Sequence, residues 1–466
     1  MSDPAAEPAR ARHAAPPGPE KLVDDGPAAA AIDRVLREPE YRERLSRELG
    51  DLFRLEALLH RGVRGEVSRR FCLRLAEEAE RVEYGLLDVG ARGNRAYAFL
   101  VEAVAGVRWT AKAIHALLHL RGRIVRYLGD RSDLAGFRRD LDGCVSWLVG
   151  RLEALLRAAR EDAEGALGVA LPREPFDAGL LAGEEVRLRL PQDMDAAESV
   201  DERERIADLA TAFLGLCDEL VGHPPPATDD LATLREFART EFGLAAAQEA
   251  RVRMHAIQSA YDSAVAATPL EIADPQLKVL RGYVSILLHL LEAVAYMLQL
   301  YARFESDVRS SRVRARTEPL LAPHDLLRWA LRFGLANTAL CVAEARGPAQ
   351  EILDRYSRRK DILLDLPPGK KLHLRPAGLI VRVVHHHGLP VQMRMDDQEV
   401  DARQLMDVIL LAASHPAARQ VGFRGDERPL ADLQELFRHR LGEDGLDRLP
   451  PSLAYVRDPV RGSGER

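Results

Sequence analysis

The feature that most constrains this chain is a run of helix-forming sequence from residue 31 to residue 360. Ala, Leu, Arg and Glu dominate it, and these are strong helix formers. Capping residues and breakers punctuate the run, each followed by an apolar-periodic stretch. Asn94 precedes a stretch ending near Leu128, with Gly129 as a natural stop, and Ser132 precedes one reaching about Ala166. Thr228 and Asp229, after three consecutive prolines, open a stretch to about Ala267. Asp274 with Pro275 opens another to about Ser311, and residues 323–325 open the last, to about Arg359. Helices of thirty residues span on the order of 50 Å, so each needs partners along most of its length. Short connections such as residues 129–131 predict antiparallel neighbours. The expectation is a long helical bundle, divided into two sub-bundles by the mixed segment 167–201, within which residues 185–190 alternate like a strand. A loose likeness between residues 97–128 and 326–356 is of the kind helix composition alone produces.

Composition narrows the class. The 466 residues are 47% hydrophobic and 30% charged, with a formal net charge of -6. That balance is ordinary for a globular chain and lacks the basic excess of a nucleic-acid footprint. Cys72, Cys144, Cys217 and Cys341 are scattered without a CxxC pair. They read as small buried hydrophobes rather than zinc ligands or a redox motif, which favours a reducing, cytoplasmic setting. Residues 1–30 lack the apolar core of a secretory signal and are expected to form a disordered tail. The most apolar helix, near residues 279–304, is interrupted by Arg281, His289, Glu292 and Gln299. Packing inside a bundle suits it better than a membrane span.

After Lys360 the texture changes. Residues 361–366 are short and apolar, residues 367–369 turn the chain, and residues 389–395 alternate with Val391, Met393 and Met395 on one face. Strand candidates also lie at residues 398–400 and 421–424, and helical stretches at 376–387, 403–413 and 430–441. The fold class expected is therefore multidomain: a long all-α helical bundle over residues 31–360, then a small α+β open-faced sandwich over residues 361–445. Residues 446–466 are expected as a C-terminal tail.

Within that last domain, Leu372-His373-Leu374-Arg375-Pro376-Ala377 carries the chemistry. Proline is tolerated in the first turn of a helix, so His373 sits just before a helix start. The free N–H groups and positive dipole end of such a terminus favour an anion, phosphate in particular. Arg375 adds a guanidinium that can bind phosphate oxygens. Neutral imidazole is a competent nucleophile near neutral pH. These residues describe a histidine able to hold a phosphoryl group reversibly.

The segment resembles HPr, the histidine-containing phosphocarrier of the phosphoenolpyruvate-dependent sugar phosphotransferase system. That family carries a Leu-His-Ala-Arg-Pro-Ala motif, an amphipathic helix, two strands and a further helix entered from an acidic or amide-rich turn. Here the motif matches at all but one position, and residues 399–406 resemble the entry to the second helix. The resemblance implies that His373 accepts a phosphoryl group on Nδ1 from an enzyme I-like donor and passes it to a downstream acceptor protein. It implies that Arg375 and the backbone N–H groups of Leu374 and Arg375 hold the phosphate, and that Leu405, Met406 and Ile409 dock partners. Lys371 stands where the family usually has glycine, Leu374 where it has a small alanine, and Asp407 where it has glycine. Gln404 stands where many members carry a regulated serine.

Other signals are weaker. His385, His386 and His387 point in different directions on a helix and cannot all reach one ion. His289 and Glu292 share a helix face, as do His115 and His119. For His289 and Glu292 a packed polar pair is the plain reading, with a second phosphoacceptor histidine as the remote one; for His115 and His119 a solvated or packed face is preferred to a metal pair. No metal or cofactor is expected, and no nucleotide-binding loop is present. The functional expectation is a phosphocarrier or phosphorylation-state regulator with its helical region able to form a homo-oligomer. The alternatives are a non-catalytic scaffold that keeps the HPr-like fold as a docking module, and a ligand-binding bundle under its control.

Overall fold

The computed structural model describes residues 37–60, 67–128, 134–181, 202–306, 310–367 and 372–457. Gly129, Ser132, the strand-like residues 185–190, Lys371 and residues 1–30 lie outside these. The chain forms two compact units, residues 1–47 and 48–466. The described part of the first, residues 37–47, holds all but the last residue of helix α1 (Glu38–Glu48), with an Arg42–Glu38 pair one turn apart. The division does not fall at the change of texture near residue 360, so the helical region and the sheet that follows belong to one unit.

That unit opens with α2 (Gly50–His60), α3 (Arg69–Asp88), α4 (Ala98–Leu128) and α5 (Leu134–Leu167). It continues with α6 (Glu202–Val221), α7 (Leu231–Thr240), α8 (Leu244–Ala264), α9 (Pro269–Ala273) and α10 (Pro275–Glu305). Then come α11 (Ser311–Leu321), α12 (Pro323–Arg328), a π-helical stretch at Trp329–Leu335 and α13 (Ala336–Tyr356). Several expected starts are present as caps. The Asp274 side chain accepts from the N–H of Gln276 with Pro275 in the first turn. Asp230, rather than Thr228 or Asp229, accepts from Thr233 N–H. The single stretch expected there to about Ala267 is instead two helices. The chain turns at Gly243, where a Cβ would lie 2.2 Å from the Ala238 carbonyl oxygen.

Helix α10 is long and apolar enough to cross a membrane, and 78% of its most apolar window is buried inside the protein. It packs against α4, α8, α13 and the π-helical stretch. Helices α3 and α5 both pack on α4, α8 and α13 both pack on α6, and α10 touches both groups. Buried charges meet where α10 packs against α3 and α4. Arg303 of α10 pairs with Glu83 at 3.1 Å and Glu102 at 3.2 Å, both nearly inaccessible, and Arg108 adds a second contact to Glu83 at 3.0 Å.

The sheet module begins at Arg359. Its order is β1 (Arg359–Asp365), α14 (Leu374–His387), β2 (Val391–Met395), β3 (Gln398–Asp401), α15 (Leu405–Ser414), β4 (Gln420–Asp426) and α16 (Glu427–Arg438). The strands form one antiparallel sheet in the order β1-β4-β2-β3. Strand alternation sorts the faces. Ile362, Phe423, Met393 and Val400 share a row on the face packed with α14, α15 and α16. The opposite face presents a ladder of charge, with Arg424 between Asp361 and Glu399. Residues 446–456, expected as tail, are part of this domain. Leu449, Leu453 and Val456 are buried in its core; two short 3-10 turns carry them, and the second, Pro451–Val456, packs on α14 and α16.

Removing Arg303 leaves Glu83 and Glu102 buried with a weaker counter-charge. Breaking such a pair costs about 3 kcal/mol or more. Arg303→Met is expected to lower the unfolding free energy obtained from a urea titration by that amount, and adding Glu83→Leu and Glu102→Leu is expected to recover most of it.

Candidate functional site

Leu372 is buried and Ala377 fully so, which turns the intervening His373 outward. His373 is the N-cap of α14, with extended backbone (φ -111, ψ -175). Its carbonyl accepts from Ala377 N–H at 3.0 Å, the first bond of the helix. The helix begins at Leu374, two residues before the expected start. Pro376 is thus the third helical residue, still within the turn whose N–H groups have no intrahelical partner. No side chain caps this end. The imidazole is 56% exposed, and Leu374 beside it is 65% exposed.

Two further groups border the histidine. Arg375 is exposed and its Nη2 lies 3.4 Å from the Gly442 carbonyl oxygen. The Glu443 carboxylate, only 13% exposed, places Oε1 3.4 Å from His373 Nε2. Glu443 follows a tight turn in which Arg440, Leu441 and Gly442 all have positive φ (53°, 57° and 67°). Leu441 is buried there, and a Cβ on Gly442 would lie 2.9 Å from Leu379 of α14. Sequence reasoning missed Glu443. It lies far from His373 along the chain, and the only local hint is a glycine shortly after a helix end.

The expected docking residues sit on α15. Met406 is 64% exposed, whereas Leu405 and Ile409 are half-buried against the module's core. Leu410, not anticipated, is exposed on the same helix. Val408 and Leu411 supply its buried side. Gln404 is the N-cap of α15 and makes no side-chain cap bond, so the position is open.

The other histidines have separate partners. His385 Nε2 faces the Arg403 carbonyl oxygen at 3.1 Å, and His387 Nε2 meets Asp432 at 2.9 Å. The His386 ring stacks on Tyr455 at 3.5 Å. Burial, with the neighbouring His387 adding to it, lowers the His386 pKa. The His386–Tyr455 stack, with Arg382 Nη1 donating to the Val456 carbonyl oxygen at 2.9 Å, holds the 3-10 segment Pro451–Val456 onto α14. In the helical region, the pairs on α4 and α10 come together. The His119 and His289 rings lie 3.9 Å apart, His289 Nδ1 meets Glu292 at 2.7 Å, and His115 Nε2 lies 3.3 Å from Arg69. His119 Nδ1 is buried with no hydrogen-bond partner among the described residues. Burial, then the nearby His289, Arg69, Arg123 and His115, push His119 down to about 3. Burial and Arg69 lower His115 as well, against the Glu292 carboxylate. All four cysteines are buried, and burial raises their thiols; Cys72, Cys217 and Cys341 reach about 12.

A surface groove of about 790 Å³ lies between α7, α8 and α10, lined by Asp230, Arg235, Leu298, Tyr301 and Glu305. Arg235 already bonds Tyr301 and Glu305 across it. No family model, curated protein or solved structure matches this chain.

The depressed His119 links stability to pH. The unfolded chain binds a proton there near the ordinary value of 6.5, and the folded chain only near 3. Between those values the unfolded state holds more protons, so stability is full above pH 6.5 and falls as pH drops through the window. The thermal midpoint is expected to fall between pH 7.5 and pH 5, and His119→Phe to flatten that slope.

Proposed function

We propose that this chain is a phosphocarrier or phosphorylation-state regulator of a phosphotransferase system, accepting a phosphoryl group on His373 from an enzyme I-like donor. The observation that carries the reading is one exposed imidazole at an uncapped helix start, with Arg375 two residues on. The order strand, helix, two strands, helix, strand, helix is the one the HPr resemblance implies for the domain around it. Nucleophilic attack by an imidazole nitrogen forms an N–P bond as the donor's bond to phosphorus breaks. The N–H groups of Leu374 and Arg375 at the dipole's positive end, with the Arg375 guanidinium, stabilise the oxygens of the transferring group.

Leu374 and Met406 are the exposed apolar residues that would meet a partner, with Leu405 and Ile409 supporting them. A small apolar surface suits transient contact with a donor and then an acceptor protein. A phosphoenolpyruvate-charged donor places the chain in the cytoplasm. The same surface also supports the second reading, a docking module that no longer transfers phosphate, because Leu374 adds bulk beside the histidine.

Incubation with phosphoenolpyruvate and enzyme I separates the two. The expected result is one acid-labile, base-stable phosphate per chain, absent from His373→Ala, whose thermal midpoint stays unchanged. Arg375→Ala is expected to slow labelling about tenfold or more. No label on the wild type, with an ordinary phosphocarrier labelled in parallel, contradicts the carrier reading and leaves the docking one.

A further inference from the structure

We propose that Glu443 is a positioning residue for His373, accepting the Nε2–H and so leaving the Nδ1 lone pair as the nucleophile. This inference rests on His373 being the phosphoryl acceptor. The two groups come from opposite ends of the module, the start of α14 and the turn after α16, yet Nε2 and Oε1 are 3.4 Å apart. At that distance the two are in ion-pair contact rather than in a formed hydrogen bond, and catalytic hydrogen bonds commonly tighten only when the partner molecule is bound. The imidazole is the exposed member of the pair, and the carboxylate is largely covered.

The backbone that delivers Glu443 is unusual. Arg440 and Leu441 adopt the left-handed region that L residues avoid. Three contacts hold them there. Leu441 is buried in the module's core, Gly442 closes on Leu379 without space for a Cβ, and the Gly442 carbonyl oxygen faces Arg375. The turn is therefore fastened to α14 at residues 375 and 379, on either side of the first helical turn. Whatever fixes α14 also fixes the carboxylate relative to His373.

The tautomer of an imidazole follows from the hydrogen bond its other nitrogen makes. With Nε2–H directed at Glu443, the Nδ1 lone pair attacks phosphorus. An N–P bond forms, the donor's bond to phosphorus breaks and its electron pair leaves with the donor. Nε2 keeps its proton, and the positive charge that the ring acquires lies against the carboxylate. When the phosphoryl group departs, the N–P electrons return to Nδ1 and the ring is neutral again. Glu443 touches neither phosphorus nor donor in this account and acts only through the ring.

The test uses the full chain and two readouts. In the unphosphorylated protein, ¹⁵N NMR of the histidines, with His373 assigned from the His373→Gln spectrum, reports the tautomer. Phosphoramidate, a small phosphoryl donor that needs no enzyme, then labels His373, and ³¹P NMR distinguishes Nδ1- from Nε2-linked phosphate. Wild type and Glu443→Gln, whose amide oxygen still accepts, are expected to hold the Nε2–H tautomer and carry phosphate on Nδ1. Glu443→Leu is expected to show mixed tautomers, slower Nδ1 labelling by about tenfold and a comparable share of Nε2-linked phosphate. An Nδ1–H tautomer in the wild type overturns the proposal whether or not any variant folds. So does Glu443→Leu that retains the Nε2–H tautomer and Nδ1-only labelling, a result that leaves His373 standing as acceptor. Absence of phosphate on wild-type His373 overturns the acceptor reading and this proposal together.

Discussion

The burial of α10 is the constraint on which the helical region depends. Leu, Ile, Val, Met, Tyr and Ala occupy all sides of this helix, and nineteen of its residues are buried. A helix apolar all round has no face to give to water, so it must be covered on every side. The chain meets that need by bringing α4 from before it, α8 from just before it, and the π-helical stretch and α13 from after it. Burying a leucine side chain contributes about 1.5–3 kcal/mol relative to exposure, and α10 buries many. The ionic contacts of Arg303 with Glu83 and Glu102 then tie α3 and α4 to α10.

The sheet module hangs from that framework by specific contacts. Arg428, in the first turn of α16, meets Glu204 at 2.7 Å and Asp208 at 2.9 Å on α6, and its own Asp426 at 3.0 Å. Burial works against the charged guanidinium, but Asp426 and Asp208 together raise its pKa. The connection from α13 is short, and Arg358 N–H donates to Asp426 just where β4 gives way to α16. Anchoring therefore concentrates at one end of α16. His373 is left exposed, as the proposed exchange with another protein requires.

Much of this was legible in the sequence, and the parts that were not share a cause. The helix start at Asp274 and the alternation of Val391, Met393 and Met395 are local patterns, and local patterns survive into the fold. The expected single helix after Thr228 failed because helix-forming composition continues through Gly243, where only a close approach to Ala238 betrays the turn. The 3-10 segment Pro451–Val456 was taken for tail because its apolar residues are too few and irregular for a periodic signal, yet Leu453 and Val456 fill the module's core. The histidine pairs on α4 and α10 were each visible by spacing, but their meeting is a matter of which helices pack. At the candidate site, His373, Leu374 and Arg375 were readable from one hexapeptide. Glu443 was not, because a contact between a helix start and a distant turn leaves no local pattern, and a left-handed Arg440-Leu441 pair has no composition signature.

The central claim is that His373 holds a phosphoryl group reversibly rather than as an end product. Reversal tests it most directly: the chain is labelled from phosphoenolpyruvate through enzyme I, freed of phosphoenolpyruvate, and chased with excess pyruvate in the presence of the same enzyme. The account predicts that label leaves the protein and reappears in phosphoenolpyruvate, with the His373→Ala chain contributing none. Label that stays on the protein through the chase, or that resides on a residue other than His373, would contradict it.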